Sequence, residues 1–467
     1  MIRQQLLEEL SQIVGKEDVL TSRRDLLVYE YDSTPDLFEP EVVVFPANAA
    51  EASAVMRLAE REGLTVVPRG AGTNLSGGTL ALKGGIVIGC TRMKRVLEVD
   101  TANERAVVEP GVINLDLQNL LAPMGYLYAP DPASQKVSTM GGNVGENSGG
   151  PHCLKYGVTT NHVYGLELVL PDGKVIHTGG PCEDNPGYDL TGIVVGSEGT
   201  FGFVTSMTLR LMRVPEAIKT MLAIFDTLED SGNAVSDIIA DGILPATLEI
   251  MDKTVTWAVE ESTHAGYPLD AEGILIIELD GLKDGQDRQA ERIVEICKKN
   301  HVRDIKVAQS DAERNILWAG RRGAFGAVAR VAPMYSVQDG TVPRTKLSET
   351  MLKVVEIAKK HNVKVGTVAH AGDGNLHPLI MYNPKDKEEI KRVHEAGLEI
   401  LKLCVDMGGT LTGEHGIGIE KQGSMPLVFN EAEVETMARV KKAFDPNNRF
   451  NPDKILPLKK VAEGVGV

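Results

Sequence analysis

Three glycine-rich stretches constrain the fold of this chain more than any other feature: "PRGAGTNLSGG" (residues 68–78), "STMGGNVGENSGGPHCLKYG" (138–157) and "GSEGTFGFVT" (196–205). The first follows a strand-like run, exposes backbone N–H groups, and lets an anion approach with no Cβ in the way. It is not a Walker A loop, because no Gly-Lys-Ser/Thr follows, and its glycines miss the G-x-G-x-x-G spacing. Alone, such a cluster is more often a structural loop. The second stretch sets Gly141, Gly142, Gly145, Gly149 and Gly150 among Ser138, Thr139, Asn143 and Asn147, and the third runs from glycines into a strand. Three such turns in one strand-rich lobe outline a groove for a long ligand with a pyrophosphate in its middle. Tight turns alone would explain the glycines but not the Asn, Ser and Thr clustered in them.

Short strands surround these turns. An opening helix (about 2–14) precedes "EVVVFP", a helical "NAAEASAVMRLAEREG" and the strand-like "LTVVPRG"; later, Pro171-Asp172-Gly173 marks a hairpin turn. From about residue 215 the texture changes. "KTMLAIF" and "GILIIELDG" read as strands, while "GQDRQAERIVEICKKN", "KLSETMLKVVEIAKKH" and "KEEIKRVHEAGLEILKLCVDMG" read as amphipathic helices, a second α+β lobe from about 218 to 412. One more helix in the tail is stopped at Asp445-Pro446.

The net charge of −16 disfavours nonspecific attraction to nucleic acid or anionic lipid. Five scattered cysteines with no C-x-x-C pair fit a reducing compartment and offer no iron–sulfur site. No secretory leader and no 18-residue apolar span are read, so the expectation is a cytoplasmic soluble protein.

"VAHAGDGNLHPLIM" (368–381) holds His370 and His377, seven residues apart. A single strand would point them to opposite faces. Asp373-Gly374 is a preferred two-residue hairpin turn, and such a turn predicts that the two histidines oppose each other directly, with Cβ atoms about 5 Å apart. Paired imidazoles can share a metal, flank a substrate or merely pack. "TGEHGIG" (412–418) adds Glu414 and His415 in a glycine-bounded loop, and two nitrogens with one carboxylate make a common divalent-metal set with open positions. A solvated Glu414 is the alternative reading.

In this order, "PRGAGTNLSGG", "DPAS" (131–134), "STMGGNVGENSGG" and "GSEGTFGFVT" resemble the FAD-binding lobe of the vanillyl-alcohol oxidase superfamily. Within it the similarity is to the branch of glycolate oxidase FAD subunits, D-lactate dehydrogenases and D-2-hydroxyglutarate dehydrogenases, over nearly the whole chain. The resemblance implies an α+β fold: a two-subdomain FAD-binding lobe (1–215), a ferredoxin-like α+β cap for the substrate (216–412), and a C-terminal segment returning to the first lobe (413–467). It implies that the backbone of Arg69, Gly70, Ala71, Gly72, Thr73, Asn74, Ser76, Gly77 and Gly78 cradles the FAD pyrophosphate. Pro132, Ser134, Thr139, Gly142, Gly145, Asn147, Glu198 and Val204 would line the rest. No histidine stands between Pro68 and Gly78, so FAD is expected to be noncovalent, and His152 reads as a satisfied polar residue near it.

"HAGDGNLH" and "GEHGIG" are similar to the metal and catalytic motifs of this branch. By that resemblance His370, His377 and Glu414 would hold a divalent metal (Zn, Fe or Mn), His415 would be the base and Asn375 a substrate-binding amide. Arg321 in "ILWAGRRGAF" would bind the substrate carboxylate, with Arg322 as the residue it could be confused with. "MYSVQDGTVP" (334–343) lacks the lysine that D-2-hydroxyglutarate dehydrogenases carry before this segment, which argues for a small acid, D-lactate or glycolate, without a second carboxylate. The implied reaction is oxidation of a D-2-hydroxy acid to its 2-oxo acid, electrons leaving to an electron-transfer flavoprotein or an iron–sulfur subunit. A metallohydrolase using His-His-Glu is the alternative, and it leaves the glycine stretches unexplained.

Overall fold

The apolar runs of the first half become buried strands in a computed structural model that describes residues 4–183 and 186–457. The chain divides into two units. One is built from the stretches up to Gly149, from Val158 to Val214 and from Glu414 onward; the other from Gly150–Gly157 and Pro215–Gly413.

In the first unit, Val42–Val44, Ile86–Gly89 and Val66–Arg69 lie parallel, with Val19–Leu20 antiparallel at one edge. Their continuous apolar character suits strands covered on both faces. Helices Gln4–Val14 and Ala49–Glu62 pack Leu10, Val55 and Met56 against this sheet. An antiparallel sheet of five strands runs in the order Val96–Asp100, Arg105–Val108, Phe203–Arg210, Val163–Val169, Val175–Gly179. Phe203–Arg210 alternates buried and half-buried residues, as a sheet with one covered face requires. Its inner side packs on Leu117 and Leu121 of helix Asn114–Leu121.

The second glycine-rich stretch is not only a turn. Met140–Glu146 forms a short helix whose N-cap, Thr139, accepts the Gly142 N–H through its hydroxyl at 3.2 Å, and which ends at Asn147 with φ 54°. Glycine in a helix costs about 1 kcal/mol against alanine. Close approach explains why it is kept: a Cβ on Gly141 would stand 2.6 Å from the Pro110 side chain.

The second unit holds a seven-stranded antiparallel sheet in the order Asp304–Val307, Ala217–Phe225, Gly273–Gly281, Thr247–Asp252, Lys364–His370, Asn375–Tyr382, Met334–Val337. The first four have the ferredoxin-like order, the fourth beside the first and the third beside the second. Helices Leu228–Ala240 and Gln286–Lys299, which link them, bury Val235, Ile238 and Ile293 against Ala223, Leu248, Ile250 and Ile277 on one face. Helices Lys253–Thr263 and Ala324–Val328 cover Leu222, Met251, Ile276, Val368 and Leu379 on the other. The period-2 alternation of these strands thus separates two cores.

The hairpin register differs from the expectation. His370 pairs with Asn375 and Val368 with His377, so residues 371–374 form a four-residue turn and the two histidines are diagonal, not direct, partners. The reason lies next door: Ala371 N–H donates to the Leu248 carbonyl at 2.8 Å, drawing the chain on past the point where a two-residue turn would reverse it.

Candidate functional site

Each unit carries a constellation of its own. In the first, a cavity is lined by Arg69, Gly70, Gly78, Gly142, Gly145, Glu198 and Val204, all expected there, and also by Thr79, Cys90, Gly141, Glu146, Ser197 and Phe203. Bare backbone and small polar groups in such a recess let a phosphate-bearing cofactor approach with no Cβ in the way. Thr139, Asn147, Pro132 and Ser134 are not in its lining. Thr139 abuts Gly70, where a Cβ would come within 2.4 Å of the threonine hydroxyl. The Asn147 side chain accepts the Thr160 N–H at 2.8 Å, and the carbonyls of Pro132 and Ser134 close a turn on Gln135 and Ser138. Ala71, Gly72, Thr73, Asn74, Ser76 and Gly77 lie outside the lining of this cavity.

Glu198 does more than line it. Its carboxylate accepts the backbone N–H groups of Ile417 and Gly418, both at 2.6 Å, and so holds the "GEHGIG" loop that carries Glu414 and His415. Gly416 has φ +84°, and a Cβ there would meet the carboxyl oxygens of Glu198 and Glu146. Burial, then the neighbouring Glu198 and Asp32 carboxylates, push the Glu146 acid well above its ordinary range. Asn451 donates to the carbonyls of Gly78 and Glu198, each at 2.9 Å, and Lys454 to those of Gly77 (2.5 Å) and Leu80 (2.8 Å). Glu146, Asn451 and Lys454 were not expected from sequence. Their only local signal is polarity in a chain segment that reads as loop.

In the second unit the site is built on the sheet face carrying Glu278, Glu249, His370, Asn375 and His377. Glu249 pairs directly with His370, and His370 with Asn375. The rings of His370 and His377 have centroids 5.0 Å apart at 86°. His370 Nδ1 is 2.7 Å from one oxygen of Glu249; Nδ1 of His377 is 3.8 Å from Asp339. His370 therefore has a buried carboxylate at hydrogen-bond distance behind it, the arrangement that orients metal-binding histidines, while Asp339 lies near His377 beyond that distance.

Helix Asp311–Arg322, N-capped by Ser310, lays one stripe on this face. Arg314, Trp318 and Arg321 recur at helical spacing. The Arg314 guanidinium grips both oxygens of Glu278 at 2.9 Å and the Trp318 indole donates to the same carboxylate at 2.7 Å. Arg321 Nε donates to the second oxygen of Glu249 at 2.7 Å, and Arg321 is buried. Arg322 is exposed, stacked 5.1 Å over the Trp318 ring. Burial opposes ionisation of Glu249, yet the Arg321 charge and the His370 contact hold its acid below the ordinary range. His152 belongs to this unit, 3.4 Å from Glu278 and stacked on Trp318, so it is satisfied but does not line the glycine cavity.

The Asn375 amide is buried, and among the described residues its oxygen has no hydrogen-bond partner. Gly413 lies against that amide, where a Cβ would stand 2.4 Å away. Asp339 fixes the same point, accepting the Gly413 N–H at its carbonyl (3.0 Å) and its carboxylate (3.1 Å). Glu414 and His415, the remaining two of the expected set, open the last stretch of the first unit, their side chains 3.9 Å apart. Among the described residues no helix is long and apolar enough to cross a membrane.

Residues 214–455 match the model of the C-terminal domain of FAD linked oxidases, and residues 40–179 that of a FAD binding domain. The chain is 42% identical over 463 residues to the glycolate oxidase subunit GlcD of Escherichia coli (strain K12), covering 99% of this chain and 93% of that one. It is 32% identical over 426 residues to the probable mitochondrial D-lactate dehydrogenase of Danio rerio, with 90% and 85% covered. Among solved structures, p-cresol methylhydroxylase with substrate bound superposes with a TM-score of 0.81 at 16% identity, covering 97% of each chain, a likeness of fold. No relative named here supports the hydrolase reading.

Proposed function

The chain belongs to the FAD-linked oxidases, as an enzyme of the glycolate oxidase and D-lactate dehydrogenase type that uses FAD, and on that premise we propose a small D-2-hydroxy acid as its substrate. D-lactate is the preferred candidate and glycolate the next. The observation that carries the proposal is the buried cluster of His370, His377 and Asn375 on one sheet face, with Arg321 of helix Asp311–Arg322 beside it. Within that cluster Arg321 is the cation offered to a carboxylate, in keeping with the missing lysine in "MYSVQDGTVP".

FAD would sit noncovalently in the glycine-lined cavity. No histidine lines it, and burial pushes the Cys90 thiol up to about 11, so that it stays protonated at neutral pH. His370 and His377 would hold a divalent metal, with Glu414 as third ligand. Supporting this, Glu414 is one peptide bond from Gly413, which is hydrogen-bonded to Asp339 and packed against Asn375.

When bound, FAD supplies the acceptor for the hydride of the α-carbon, and the metal supplies Lewis acidity at the hydroxyl. The protein groups do the rest. Arg321 would pair with the carboxylate and fix the acid in one orientation. Asn375 would place its amide on the substrate. His415 would take the hydroxyl proton as general base, a role imidazole often fills. The oxidation removes one hydride and one proton, together two electrons and two protons, and leaves a 2-oxo acid; an electron-transfer flavoprotein or an iron–sulfur subunit is the proposed acceptor of the electrons. The test is anaerobic mixing of the flavin-loaded protein with D-lactate, L-lactate, glycolate and D-2-hydroxyglutarate. D-lactate or glycolate is expected to bleach the visible flavin band; bleaching by none of the four overturns the proposal.

A further inference from the structure

Glu249 stands in no motif, yet it is the point where the two ends of the proposed substrate site meet. It lies within the strand Thr247–Asp252, directly opposite His370, and its side chain is fully buried. One oxygen, Oε1, is 2.7 Å from His370 Nδ1. The other, Oε2, accepts from Arg321 Nε at 2.7 Å and lies 2.6 Å from Nη2. A carboxylate is the side chain that can do this, because it can accept at both oxygens, from a guanidinium at one and from an Nδ1–H at the other.

We propose that Glu249 is a positioning residue for the hydroxy-acid oxidation, one carboxylate that sets the histidine tautomer for the metal and the guanidinium for the substrate at once. The proposal rests on the reading above, in which His370 binds metal and Arg321 binds the substrate carboxylate. With its proton on Nδ1 and directed at Glu249, the neutral His370 ring carries its lone pair on Nε2, the nitrogen that would ligate. With Nε and Nη2 turned to Glu249, Arg321 presents Nη1 to a single carboxylate oxygen. Glu249 also pairs with the buried Arg321 cation, which would hold the guanidinium in place before substrate arrives.

Two measurements test this. In the wild-type protein, ¹⁵N-labelled histidine spectra without metal, with His370 assigned by a His370→Asn variant, are expected to show the Nδ1–H tautomer at His370. An Nε2–H tautomer overturns the proposal without any variant of Glu249 having to fold. Glu249→Gln then breaks the arrangement at nearly constant shape, because an amide can accept at its oxygen but meets the second donor with its own N–H groups. In flavin-loaded protein with wild-type flavin content, this variant is expected to bind Mn²⁺ about 10–100-fold more weakly in chelator competition. KM for D-lactate should rise as well, a change that a fold-stabilising role alone would not bring. Equal Mn²⁺ affinity and equal KM in the two proteins overturn the proposal. Failure of the wild-type protein to bind Mn²⁺ at all instead overturns the metal reading on which it rests.

Discussion

The rings of His370 and His377 come within 5.0 Å, centroid to centroid, although neither is the other's partner across the hairpin. Diagonal residues two apart on facing strands share a face and lie within reach of ring-sized side chains. Alanine at either position leaves one imidazole where the proposed site has two. Elemental analysis after dialysis is expected to show bound divalent metal falling at least about tenfold in His370→Ala and in His377→Ala. The flavin-to-protein ratio should hold, because the residues that line the glycine cavity are elsewhere in the chain. Unchanged metal content in both variants would remove the histidines from the ligand set.

The convergence of these histidines was legible in the sequence, but its register was not. Asp-Gly signals a two-residue turn by local preference alone, while the actual turn is decided by Leu248, a residue more than a hundred positions away whose carbonyl takes the Ala371 N–H. The motif residues shared this advantage: glycine clusters and paired histidines are rare enough to stand out. Glu249, Asp339 and Glu278 are ordinary acids in "LEI", "QDG" and "IELD". Only the partners brought by other elements, Arg321, Gly413 and Arg314, distinguish them. The short helix Met140–Glu146 was hidden for the opposite reason, since its glycines argue against a helix locally and are retained by close packing.

Arg321 and Arg322 separate the substrate role from a surface one. Arg321→Lys keeps the charge but replaces a planar fork with a point charge, so a guanidinium that must serve Glu249 and a substrate together is lost. KM for D-lactate is expected to rise about tenfold or more, a loss of roughly 1.4 kcal/mol of binding. Arg322→Lys, altering an exposed stack on Trp318, should leave KM unchanged and cost at most about 1 kcal/mol of stability. Steady-state kinetics of the two variants decide the assignment; equal effects would return the role to neither.

Glu278 predicts an acid limit to the stability of its unit. Burial opposes its ionisation, but hydrogen bonds from His152 and Arg314 and the Arg314 charge hold its acid far below the ordinary 4.5. A depressed acid contributes stability that is present above its unfolded value and is lost as pH falls below it. Urea unfolding of the wild-type protein should therefore weaken progressively below roughly pH 4.5, once the unfolded carboxyl takes up a proton that the folded one refuses. Glu278→Gln, which strands the Arg314 charge, is expected to cost about 3–5 kcal/mol near neutral pH and to flatten this part of the pH dependence. A variant as stable as the wild type would show that the Arg314 charge does not need this partner.

His415 is expected to set the rate of proton removal and nothing in cofactor loading. His415→Ala should lower the rate of flavin reduction by D-lactate about 10²–10⁴-fold with full flavin content. Stopped-flow absorbance under anaerobic conditions measures it. A rate within twofold of wild type would place the base elsewhere.

The loop that carries His415 depends on a glycine that only the fold explains. Gly418 has φ +51°, its N–H donates to Glu198 at 2.6 Å, and a Cβ there would stand 1.9 Å from the Ser76 carbonyl oxygen, in the stretch that follows the cavity-lining Arg69 and Gly70. Alanine at Gly418 must therefore bear both a left-handed backbone and a backbone collision. Gly125, in the same unit, has φ +78° with nothing within 4 Å of a Cβ. Gly125→Ala should cost about 1 kcal/mol, the left-handed penalty by itself. Gly418→Ala should cost clearly more, and the displaced loop should lower both the flavin-to-protein ratio and the rate of flavin reduction. Thermal melts and flavin content of the two variants isolate the contact from the conformation, because the conformational cost is common to both. If the two variants melt alike and bind flavin alike, the approach of Gly418 to Ser76 has no part in holding the loop.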